Sequence, residues 1–146
     1  MKKSLCTVLL LLLSTGLVLG SPNVSVVTDS EDAKLRFASA QHEIISILLQ
    51  EQRYDAVMPE LKKLLALNLK GVNERLLVQS IWLFADQLVA AGQFALAHEA
   101  IDSALSKVAE DGNKFTLLML KGKIYKEQGM LKEALDLYRS AQELQN

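Results

Sequence analysis

The chain has 146 residues, half of them hydrophobic, with 16 Lys and Arg against 17 Asp and Glu and a formal net charge of −1. That length fits one domain and not two. The apolar content excludes intrinsic disorder, and the absence of a basic excess argues against a nucleic-acid binder that works by bulk charge.

Met1-Lys2-Lys3 is a basic start, and a leucine-rich apolar run follows from Leu5 to Leu19, broken by Thr7, Ser14, Thr15 and Gly16. Val18-Leu19-Gly20 offers small or β-branched residues where a signal peptidase cuts, and Pro22 opens a polar stretch. This order predicts a secretory signal peptide over residues 1–20. About 15 apolar residues make roughly 22 Å of helix, short of the ~30 Å hydrocarbon core, so cleavage is favoured over a retained inner-membrane anchor. Cys6, the only cysteine, lies before most of the run, which disfavours lipidation and leaves the mature chain without disulfides. Loss of Lys2 and Lys3 leaves 14 basic against 17 acidic residues. The expected location is periplasmic or secreted, with no membrane insertion after cleavage.

Residues 21–30 read as a flexible polar linker. From Glu31 the apolar residues Leu35, Ala38, Ile45, Leu48 and Leu49 recur at three- and four-residue steps, which predicts helix. Thr28, Asp29 and Ser30 are N-cap candidates. The one β-branched cluster, around residues 24–28, is too short and isolated to signal a sheet.

The same spacing recurs along the chain. Gly122, Tyr125, Gly129, Ala134, Tyr138 and Ala141 form one set. Ala85, Gly92, Phe94, Ala97, Ile101 and Ala104 form a second, and Ile45, Gln52, Tyr54, Val57, Leu61 and Leu64 a third. The turn positions 52, 92 and 129 stand 40 and 37 residues apart. This resembles the tetratricopeptide repeat (TPR), a helix pair with G-x-x-Y on its first helix, a turn glycine and A…Y/F…A on its second. The resemblance is fullest in the last copy and covers nearly all of the mature chain. It implies an all-α fold, an α-α superhelix of about three helix-turn-helix repeats over 31–146, with repeats at about 38–71, 78–111 and 115–146. The extra residues fall at Asn68–Asn73 and Glu110–Asn113, where loops are expected. Gly122 and Ala134 mark helix crossings, and Tyr54, Phe94 and Leu131 follow the turns to plug each pair. Pro59 is expected in the first turn of its helix, where its missing N–H costs little. Leu65 and Leu105 lie where the next repeat covers them; the equivalent in the last copy is Gln142, a polar end such as solenoids need.

Catalytic constellations are missing from the sequence. His42 and His98 are far apart, no G-x-S-x-G, P-loop, HExxH or CxxC occurs, and Asp and Glu read as solvated faces. His98 is expected at a packing boundary. No catalytic, metal or cofactor site is expected, and the chain reads as a non-enzyme. Lys121, Lys123 and Lys126 make a small basic cluster on one helix.

What the resemblance implies instead is a concave groove lined by the first helices, gripping a protein or peptide. Its register nominates Ser39, His42, Ser46 and Leu49, then Gln79, Trp82, Asp86 and Val89, then Thr116, Met119, Lys123 and Lys126. Trp82, the only tryptophan, is the strongest anchor. The family often carries a core Trp one place earlier, where Ile81 stands, so Trp82 faces either the groove or the core. The Lys and Asn residues with which one subfamily clamps a C-terminal carboxylate are replaced here by His42, Ser46 and Thr116. The alternative function is a self-associating structural subunit or membrane-tethered spacer that uses Leu135, Tyr138 and Leu144 of the last helix.

Overall fold

The computed structural model describes residues 25–145, which form six α-helices; no strand occurs among the described residues. The signal segment 1–20 and the first part of the linker lie outside the described residues. The helices are α1 (Ser25–Gln50), α2 (Tyr54–Leu65), α3 (Val72–Ala90), α4 (Phe94–Leu105), α5 (Asp111–Glu127) and α6 (Leu131–Glu143).

Helix α1 starts earlier than the sequence pattern suggested, so residues 25–30 of the expected linker are helical. That stretch contains neither Pro nor Gly, and the first turns gain an i,i+3 pair from Lys34 to Glu31 at 2.7 Å. Similarly α3 and α5 begin at Val72 and Asp111, ahead of the expected repeat starts at 78 and 115.

The three turns lie where the spacing put them. Each pair of helices is joined by three residues, with a left-handed residue in the middle: Gln52 (φ 58°), Gly92 (φ 73°) and Gly129 (φ 77°). In each, the next N–H reaches back five residues: Arg53 to Leu48 (2.9 Å), Gln93 to Leu88 (2.8 Å) and Met130 to Tyr125 (2.9 Å). This is the Schellman closure, which satisfies carbonyls that the ending helix leaves free. Asn68 (φ 51°) and Gly71 (φ 56°) turn the chain between α2 and α3.

Packing is pairwise along the chain: α1 on α2, α3 on α4, α5 on α6. Helices α1, α3 and α5 also form a row, with α2 against α4 behind it. The core runs through Ile45, Leu61, Ile81, Phe84, Leu88, Ile101, Leu117 and Leu120. The crossing positions are buried alanines and a glycine: Ala85, Ala97, Ala104, Gly122, Ala134 and Ala141. Buried Gln41 ties α1 to α2 by donating to the Glu60 carbonyl (3.1 Å) and carboxylate (2.5 Å).

The third pair joins differently from the second. Helix α5 lodges against both α3 and α4, while α6 packs on α5 and on no other described helix. As a result Leu131, expected to plug its pair, is 65% exposed, and Leu105 is only half-buried although its counterpart Leu65 is buried. No described helix bridges α4 and α6 to cover them.

Two further expectations change. Pro59 is the sixth residue of α2, beyond the first turn, so the Asp55 carbonyl loses its helical donor; both residues are exposed, and water can replace it. Glu110–Asn113 is not a loop, because α5 begins at Asp111 and Gly112 lies inside it. The cause is Glu74, a carboxylate 1% exposed that the sequence placed on a solvated face. It accepts the N–H groups of Ala109 (3.1 Å) and Glu110 (3.0 Å) and the Asn113 side-chain amide (2.9 Å). It thus caps α5 from α3, a negative charge at a helix N-terminus. Burial would raise its pKa, but the hydrogen bonds from Asn113, Glu110 and Ala109, with Lys70 nearby, outweigh this and hold the carboxyl below its ordinary range.

Candidate functional site

The row α1–α3–α5 carries two hollows, one on each side of α3. The first, about 220 Å³, lies between α1 and α3 and has apolar walls from Leu35, Ala38, Leu64, Leu69, Leu76 and Leu77. Its polar groups are Ser39, His42, Asn73 and Ser80. His42 Nδ1 lies 3.1 Å from Ser80 Oγ, and the imidazole rests on the Phe84 ring at 4.9 Å. The serine and the ring fix the imidazole in the wall.

The second hollow, about 260 Å³, lies between α3 and α5 and is lined by Val78, Gln79, Trp82, Leu83 and Thr116. Trp82 is half-buried, with part of its indole against the core and part lining this hollow. Both orientations weighed from the sequence are therefore partly realised. Thr116 turns its hydroxyl back to the Gly112 carbonyl (2.9 Å), which leaves its methyl face for the hollow. Leu76 and Leu83 stand between the two hollows, two turns apart on α3, and both are largely exposed.

Of the twelve nominated residues, Ser39 and His42 meet in the first hollow and Gln79, Trp82 and Thr116 in the second. Asp86 and Lys123 pair across α3 and α5 at 3.6 Å, and Lys123 also reaches Glu127 at 3.8 Å. Ser46 and Met119 are half-buried and Lys126 is exposed.

Leu49 is a correction: it is buried in the core, and Val89, its counterpart, packs half-buried against that core. The reason is helical drift. Ten residues from Ser39 to Leu49 turn the helix through about 1000°, some 80° short of three full turns, so the strip rolls beneath the neighbouring helix. Lys126, at the same place on α5, stays exposed because no further described helix covers it.

Sequence reasoning missed Leu76, Leu83, Asn73 and Ser80. Leu76 and Leu83 were legible as apolar residues off the core stripe, but assigning them to a groove needs the positions of α1 and α5. The basic cluster is largely neutralised: Lys121 pairs with Asp102 at 2.5 Å beside Tyr125, and Lys123 with Asp86. His98 sits at the α4–α5 boundary, stacked on Tyr125 at 4.1 Å with Nε2 2.8 Å from Gln128 Oε1.

Among the described residues no group of three His, Cys, Asp or Glu is placed to hold a metal ion, and no helix is long and apolar enough to cross a membrane. Comparison with family models, with curated proteins and with solved structures finds no match to this chain.

Proposed function

We infer that the chain is a small exported scaffold of the tetratricopeptide-repeat kind, without catalytic activity. It binds a protein or peptide segment along the α1–α3–α5 row in the periplasm or outside the cell. The observation that carries this reading is the pair of apolar hollows flanking α3, with Leu76 and Leu83 exposed between them and Trp82 in the wall of the second. Neighbouring helix axes stand about 8–10 Å apart. Two bulky side chains three residues apart on a bound polyproline-II segment, at ~3.1 Å per residue and three residues per turn, share one face and span that distance. His42, Ser80, Gln79 and Asn73 supply the few polar groups that orient a ligand in a mostly apolar site. The recurrence of a left-handed turn residue at 52, 92 and 129 supports the repeat assignment.

A photo-crosslinking residue placed at Gln79, with a control at Ser103 on the back of α4, tests the reading in intact cells. Envelope proteins captured at Gln79 but not at Ser103, and lost on Trp82→Ala, are the expected result. Capture that is the same at both positions, or none at Gln79, overturns it.

A second reading is favoured by one observation. Leu131 and Leu135 on α6 are 65% and 47% exposed, so the last helix offers an apolar strip to a structural neighbour. A Leu131→Lys, Leu135→Lys variant separates the two: it abolishes association through α6 and leaves capture at Gln79 intact.

A further inference from the structure

Helix α1 carries a second apolar strip that neither the groove nor the core uses. Ala33, Phe37, Ala40, Ile44 and Ile47 follow one another at steps of four, three, four and three residues, and all are exposed. Phe37, Ile44 and Ile47 are 47%, 43% and 51% exposed. At 100° per residue the strip points about 150° away from Ser39, His42 and Ser46 on the same helix. It faces outward beyond the first pair, opposite the side that receives α3.

That spacing is the a/d seam of a heptad, two heptads long, which packs against another helix of the same kind. One flank of the seam is occupied, since Gln41 and Leu48 are buried within the chain. The other flank carries exposed Arg36 and Glu43, seven residues apart. The charges choose the arrangement. In a parallel pairing this flank meets the partner's occupied flank, which offers neither residue a counter-charge. In an antiparallel pairing the flank meets itself. Placing Arg36 opposite the partner's Glu43 sets Phe37 against Ala40 and Ile44 against Ala33, a large side chain on a small one in each layer. Sliding the helices by one heptad sets Glu43 against Glu43. The favoured register is self-complementary, as a two-fold interface requires, because each contact occurs twice.

We propose that two copies of this chain associate through antiparallel α1 helices, centred between Arg36 and Glu43, with both grooves facing away from the seam. This goes beyond the groove-binding reading and stands whether or not that reading holds. A seam of two heptads lies at the small end of specific interfaces, so the dimer is weak and concentration-dependent.

Sedimentation velocity on the full chain as processed by the cell, from low micromolar to several hundred micromolar, tests it. The expected result is a monomer–dimer equilibrium. Arg36→Glu and Glu43→Arg, each alone, weaken it about tenfold or more, and the double exchange restores it. Circular dichroism melts of the variants confirm that the fold is kept, since both sites are exposed. A monomer at every concentration overturns the proposal, as does a dimer indifferent to Arg36→Glu. A dimer weakened by both single changes and not restored by the exchange overturns the antiparallel register. Association lost with Leu131→Lys, Leu135→Lys and kept with Phe37→Glu overturns it in favour of α6.

Discussion

The Tyr138 ring of α6 lies on the bare backbone of Gly122 in α5: a Cβ built on the glycine falls 2.5 Å from Tyr138 Cε1 and 2.9 Å from Cδ1. This contact lets α5 and α6 approach closely, and it determines the sign of a simple substitution. Gly122→Ala gains about 1 kcal/mol of helix propensity. Displacing the ring or parting the helices costs roughly 1–3 kcal/mol. The expected outcome in urea unfolding is a net loss of about 1 kcal/mol. With Tyr138→Leu already present the same change becomes neutral or stabilising. A loss unaltered by Tyr138→Leu would place the clash elsewhere.

Gln52 occupies a turn position that glycine fills at 92 and 129, with φ at 58°. A left-handed conformation costs a residue with a Cβ roughly 1–2 kcal/mol. Glycine returns part of that through the freedom it adds to the unfolded chain. Gln52→Gly is therefore expected to stabilise by about 0.5–1 kcal/mol. Gly92→Gln and Gly129→Gln are expected to destabilise by a similar amount. Denaturant midpoints check all three.

Glu74 gives stability a definite pH dependence. Its folded pKa is lowered, so the stabilisation is present above the ordinary glutamate value of 4.5 and is lost as pH falls through the folded value. Glu74→Gln keeps one acceptor and presents an amide to N–H groups. At neutral pH it is expected to cost about 1.5–3 kcal/mol, the range for hydrogen bonds to a charged group. The gap between wild type and variant narrows below pH 4.5, which thermal melts across that range would reveal. A gap constant with pH would mean that Glu74 acts by shape alone.

Helix α6 buries only Ala134 and Ala141 and rests on α5 alone among the described helices. Local opening follows sparse burial. Amide exchange is expected to be fastest in α6 among the six helices and slowest in α3 and α4, whose Ile81, Phe84, Leu88 and Ile101 form the middle of the core. Protection of α6 equal to that of α3 would contradict this.

The helices and the turns at 52, 92 and 129 were legible because both depend on local chemistry: the period of apolar residues and the need for a left-handed residue. The buried state of Ala85, Gly122 and Ala134 was legible from their size. Glu74 was not, because its burial depends on Asn113 and the Ala109 and Glu110 N–H groups, 35 to 39 residues away. Leu131 misled for a related reason. It follows its turn as Tyr54 and Phe94 follow theirs, yet its exposure depends on where α6 stands relative to α4, which local spacing does not encode. In the candidate site, Ser39, His42, Gln79, Trp82 and Thr116 line the two hollows, whereas accumulated helical drift carries Leu49 into the core.

The two junctions between helix pairs differ in how they bear load. The first is fastened front and back, through α1 on α3 and α2 on α4, and resists bending like a box section. The second holds α5 alone, between α3 and α4, with the Glu74 carboxylate at its base and the His98–Tyr125 stack farther along, and no strut joins α4 to α6 among the described helices. Load on α6 therefore reaches the other helices through α5, as on a cantilever fixed along one edge.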